Sequence, residues 1–115
     1  MKADLHNHSY FSDGFLSPSE VVILAASAKC DLFSLTDHDT TDGIPEAQLQ
    51  ADKIGLKMIN GVEISAFWRN MAIHIVGLRV DITNDALQAG LDYNKELRQI
   101  RAERIALSLQ RSGIK

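Results

Sequence analysis

The sequence has one cysteine, Cys30, so no internal disulfide can form and a reducing compartment, the cytoplasm, is expected. It lacks long apolar runs. The longest, residues 21–26, falls far short of the roughly 20 residues a membrane-spanning helix needs, so no membrane partner is expected. Residues 1–6 hold no apolar signal core, which argues against secretion. Repeats, low-complexity tracts and Pro/Gly/Ser linkers are missing, and composition marks no internal boundary. There is no Gly-rich phosphate loop and no Gly-x-Ser-x-Gly elbow, so P-loop nucleotide binding and serine hydrolysis lack support.

What is present reads as one small globular unit, 115 residues with 45% apolar and 23% charged residues. Net charge is −3, unevenly spread. Residues 1–63 carry ten acids and four bases, whereas residues 64–115 carry five acids and eight bases. An acidic first part holding three of the four histidines suits a cation, and a basic second part suits an anionic substrate. A chance split of solvated side chains gives the same sums.

Periodicity predicts a short strand over residues 2–5. A helix opens at Ser17-Pro18-Ser19-Glu20, which has a capping serine, a proline at the first helical position and a capping-box glutamate. Val21, Leu24, Ala25 and Ala28 supply its apolar face. A strand over residues 32–36 and a helix over 45–54 follow; Asp42 is a candidate cap and Gly55 a stop. Residues 57–59 and 62–67 read as strand material broken by an Asn60-Gly61 turn, and residues 71–80 as a strand buried on both faces. A helix from about Asn84 to Ser112, with Gly90 as an interruption, ends the chain. The order β-α-β-α-β-β-α predicts an α/β protein with a largely parallel sheet. So small a parallel sheet has two open edges, which predicts pairing with a copy of itself or the front part of a larger barrel.

All four histidines stand beside other candidate ligands. His6-x-His8 at a strand end places both imidazoles on one face, and Asp13 in a Ser-Asp-Gly turn can fold back over them. Taken alone, His-x-His serves equally as a surface pair. Thr36-Asp37-His38-Asp39 follows the second strand, where parallel α/β sheets carry functional groups. Asp37 and Asp39 suit orienting or capping roles better than direct ligation. Glu63 in an apolar strand needs a partner or a cation unless that strand is a wet edge. His74, within another apolar run, raises the same question, with a neutral histidine bonded to backbone as the alternative. Histidines and carboxylates without a thiolate suit Zn, Mn, Fe or Mg. Cys30 reads as core. On the last helix Arg101, Arg104, Ser108 and Arg111 share a face that suits phosphate or plain solvent, and Phe67-Trp68 suits either base stacking or packing.

These segments together resemble the PHP (polymerase and histidinol phosphatase) phosphoesterases: Asp4-Leu5-His6-Asn7-His8-Ser9, Ser12-Asp13-Gly14, Leu35-Thr36-Asp37-His38-Asp39-Thr40-Thr41-Asp42-Gly43, Gly61-Val62-Glu63-Ile64-Ser65 and His74-Ile75-Val76-Gly77-Leu78. The fuller spellings, with Phe67-Trp68 and Arg101-Ala102-Glu103-Arg104-Ile105, are most similar to the branch of RNase AM and the nucleoside 3′,5′-bisphosphate phosphatases. The resemblance implies the N-terminal part of a distorted (β/α)7 barrel over residues 1–82 and the start of a helical cap insertion over residues 83–115. It implies up to three divalent metals: His6, His8 and Glu63 on one, Asp13 and His38 on a second, and Glu63 bridging to a third with His74. Asp37 and Asp39 would lie behind them, and Arg101 and Arg104 would meet substrate. A hydroxide held between metals would attack the phosphorus of a phosphorylated small molecule, a nucleotide or short RNA or DNA, with no side chain as nucleophile. The family's remaining ligands, a further His and an Asp-x-His segment, have no counterpart after His74. A histidinol-phosphatase-like domain, a polymerase-associated domain and a non-catalytic metal-binding fragment are the alternatives. Self-association of the chain is a further expectation.

Overall fold

A computed structural model describes residues 1–113. Its elements run β1 (Ala3–Asp4), α1 (Pro18–Ser27), β2 (Leu32–Phe33), α2 (Ile44–Ile54), β3 (Lys57–Met58), β4 (Gly61–Trp68), β5 (Met71–Leu78) and α3 (Asp85–Arg111). β1, β2 and β3 form a parallel sheet in that order, and β4 pairs with β5 as an antiparallel hairpin. A parallel bridge between His38 and Glu63 ties the segment after β2 to β4. The α/β class is as predicted, but the antiparallel hairpin corrects the largely parallel sheet. Its cause lies in Arg69 and Asn70, which both adopt positive φ (50° and 64°) and give the two-residue turn that joins antiparallel strands directly.

The core lies between α1, α2 and β2. Val22, Phe33, Leu35, Ala47 and Ala51 are fully buried there, with Cys30 at the margin. α1 has the predicted capping box: Glu20 N–H donates to Ser17 Oγ at 3.2 Å and Ser17 N–H to the Glu20 carboxylate at 3.2 Å. Its buried stripe, however, is Pro18, Val21, Val22 and Ala25, and Leu24 is exposed. Residues 21–26 are all apolar, so spacing alone does not choose which face turns inward.

Three more expectations change. β5 is not buried on both faces; most of its residues are exposed, because it forms the outer arm of the hairpin. Asp42 does not cap α2, whose first position is preceded by Gly43 without a side-chain bond; Asp42 instead lies 3.7 Å from Lys95. Gly90 does not interrupt α3, which runs unbroken from Asp85 to Arg111 behind an Asn84 cap. The last two residues of the expected cap segment lie outside the described residues. Among those described, no helix is long and apolar enough to cross a membrane.

Candidate metal centre

The chain leaving β1 is held straight by Asn7. Its side-chain amide donates to the Asp4 carbonyl (3.2 Å), the Asp4 carboxylate (3.0 Å) and the Ser34 carbonyl (3.1 Å), and its backbone pairs with Thr36. His6 and His8, on either side of Asn7, therefore turn to the opposite face together. Asp37 then organises the next loop. Its carboxylate accepts from Ser9 N–H at 2.6 Å, Ser9 Oγ at 2.7 Å and Ser12 Oγ at 2.8 Å. Gly14 closes that loop against His8, where an added Cβ would stand 2.4 Å from the His8 carbonyl oxygen. The closed loop carries Asp13 over the site, with Oδ1 2.7 Å from His8 Nδ1 and Oδ2 3.1 Å from His38 Nε2.

Glu63 is the hub. Oε1 lies 2.5 Å from His6 Nε2 and 2.9 Å from His8 Nε2, while Oε2 lies 2.7 Å from His74 Nδ1 and 3.4 Å from His38 Nδ1. Its side chain is 5% exposed, so the wet-edge alternative for Glu63 fails. His74 projects from the exposed arm towards this carboxylate, not towards backbone. Burial pushes the Glu63 carboxyl up, but hydrogen bonds from His6 and His8, the neighbouring His38 and the bond from His74 outweigh it and hold it at about 2. Asp13 is also held below the ordinary carboxylate range: its slight burial raises it, and His8 and His38 more than reverse this.

The six candidate ligand residues thus converge, in three donor groups: His6–His8–Glu63, His8–Asp13–His38 and His38–Glu63–His74. Within each, the ligand atoms lie within 4.8 Å of one another. The donor set fits divalent cations of borderline or hard character. His38 Nδ1 adds an observation of its own, being buried without a hydrogen-bond partner while facing a carboxylate oxygen. A lone pair so placed suits a cation between the two groups.

Asp37 and Asp39 lie behind the cluster, both buried and both engaged in hydrogen bonds. Arg101 lines a groove of about 500 Å³ between the β4–β5 hairpin and α3, bounded by Phe67, His74 and Tyr93. Arg104 is exposed and does not line that groove. Trp68 is exposed at the hairpin tip with the Arg69 guanidinium 4.3 Å from its ring centroid. The sequence reading missed Asn94 and Arg98, which bond to Asp39 and Ser65. Their signal was available: Leu91, Asn94, Arg98 and Arg101 recur at helical spacing, with the single buried leucine of α3 at the head.

Comparison with known proteins places this geometry in context. The PHP domain family matches residues 4–111. The chain is 46% identical over 113 residues to a 5′-3′ exoribonuclease of Haemophilus influenzae, covering 98% of this chain and 41% of that protein. It is 46% identical over 111 residues to a 3′,5′-nucleoside bisphosphate phosphatase of Chromobacterium violaceum, covering 96% of this chain and 39% of that protein. A solved amidohydrolase structure from Chromobacterium violaceum superposes with a TM-score of 0.92 at 45% identity, over 99% of this chain and 40% of that one. A Bifidobacterium adolescentis protein considered a metal-dependent phosphoesterase superposes at 0.90 with 29% identity, over 96% of this chain and 39% of that one. The chain thus spans about two fifths of the length of the curated relatives it matches.

Proposed function

The chain belongs to the PHP domain family, and from that premise we propose that it carries the metal-holding part of a phosphoesterase acting on nucleotides or short oligonucleotides. The observation that carries the reading is Glu63, a buried carboxylate whose two oxygens face four imidazoles. In this reading His6, His8 and Glu63 hold one divalent ion, Asp13 and His38 a second, and Glu63 with His74 a third; Mn, Zn, Fe and Mg suit these donors. Such ions supply a nucleophilic water at neutral pH and neutralise charge on phosphoryl oxygens.

The chain's own residues do the rest. Asp37 fixes the loop that brings Asp13 over the centre, and Asn7 aims His6 and His8. The groove beside His74 takes the part of the substrate beyond the reacting phosphate. Arg101 meets a second anionic group there, and Arg104, one helical turn on, is exposed for a longer substrate. The names of the relatives support nucleotides and RNA as the substrate class. Residues 1–82 would form the front of a (β/α)7 barrel and residues 83–115 the start of its cap, in a cytoplasmic enzyme.

The test uses protein expressed from the complete reading frame, assayed with Mn²⁺ on adenosine 3′,5′-bisphosphate, a short RNA and histidinol phosphate. Hydrolysis of the first two that is abolished by a chelator is expected, with Glu63→Gln reducing it at least about 100-fold. Undiminished turnover by Glu63→Gln, or preference for histidinol phosphate, would overturn the reading.

A further inference from the structure

Resting on the metal-holding reading above, we infer that Arg98 is a positioning residue for that cluster, acting with Asn94 through the buried carboxylate of Asp39. Asp39 is fully buried and adopts φ +53°, a left-handed conformation uncommon for residues with a side chain, although Asp tolerates it better than most. Its carboxylate accepts four hydrogen bonds: from Ser65 N–H (2.9 Å), Ser65 Oγ (2.6 Å), Asn94 Nδ2 (2.9 Å) and Arg98 Nε (2.9 Å). The two α3 side chains also reach Ser65 itself. Arg98 donates to Ser65 Oγ at 2.8 Å and Asn94 to the Ser65 carbonyl at 3.0 Å.

This network grips two neighbours of the metal cluster at once. Asp39 directly follows His38, and Ser65 lies two residues past Glu63 on the same strand, hence on the same face. Between them Asp39 N–H donates to the Glu63 carbonyl (2.9 Å) and Glu63 N–H to the Asp37 carbonyl (3.0 Å). Among the described residues, Arg98 is the cation paired with the Asp39 carboxylate. Removing it leaves a buried charge short of its partner, and the strained turn at Asp39 is free to relax. The side chain this displaces first is His38. His38 belongs to two of the donor groups, with His8 and Asp13 and with Glu63 and His74, and is absent from the third, His6–His8–Glu63.

The consequence is selective. In protein from the complete reading frame, titrated with Co²⁺ by calorimetry and followed by its visible absorption, Arg98→Met should weaken binding at the His38-containing groups about 10–100-fold. The His6–His8–Glu63 group should keep its affinity. Arg98→Lys, which keeps the charge and loses the planar fork, should fall between. If Arg98→Met fails to fold by circular dichroism, Asn94→Ala, which removes one neutral donor, carries the same selective test. Parallel weakening of all groups, or none, in variants of a wild type that binds Co²⁺ would overturn the inference alone. A wild type that binds no Co²⁺ would overturn the metal-holding reading and this inference with it.

Discussion

Glu63 is surrounded in sequence by Val62 and Ile64, and a carboxylate so placed has to be compensated. The compensation is the ring of histidines that holds it at about 2, below its ordinary 4.5. A group depressed in the folded state contributes stability that is present above its unfolded value and lost as pH falls through the folded one. The thermal midpoint of the metal-free protein should therefore drop between about pH 4.5 and pH 2, and less steeply in Glu63→Gln. Scanning calorimetry across that window checks it; equal slopes would refute it. Glu63 was legible in the sequence because a charge inside an apolar strand contradicts its surroundings. The α3 face that carries Asn94 and Arg98 was legible in its spacing, but its pairing with Asp39 was not, since Arg98 lies 59 residues away and nothing local ties the two together. Only the fold brings α3 across to Asp39.

At the scale of elements, sequence signals worked where one local rule acts without a rival. The Ser17-Pro18-Ser19-Glu20 box starts α1 as expected, and the Gly55 stop ends α2 in a left-handed conformation (φ 74°). They failed where several choices were equivalent, as along the uniformly apolar run of α1, or where tertiary contacts decided. Gly90 reads as a helix breaker, yet α3 continues through it on the support of Leu91, Gln88 and Asn94, which dock the surrounding turns. An added Cβ at Gly90 meets no atom within 4 Å. Gly90→Ala should accordingly stabilise the protein by about 0.5–1 kcal/mol. Ser17→Ala, which removes the α1 cap, should cost about 1 kcal/mol. Denaturant unfolding of the two variants beside the wild type gives both numbers; opposite signs would refute the account.

The whole molecule is long for its size. It measures 52 × 31 × 23 Å with a radius of gyration of 16.4 Å, against about 13 Å for a compact domain of this length. The excess comes from α3, whose 27 residues extend about 40 Å and whose residues 96–111 are all exposed. Leu97, Ile100, Ile105, Leu107 and Leu109 are uncovered there, as are Phe67, Met71, Ile75 and Val76 on the hairpin. Apolar surface on this scale drives association, so the 115-residue chain alone should self-associate at micromolar concentration. Light scattering showing a monomer at all concentrations would refute that. Contact across the centre has a different consequence, for biosynthesis. His6 and His8 meet Glu63 across 57 and 55 residues. A ribosome releases the two histidines before it has made β4 and β5, the strands that carry Glu63 and His74. Any ion met earlier finds His6, His8, Asp13 and His38 without Glu63, and the grip becomes complete only once the hairpin has emerged and closed over it.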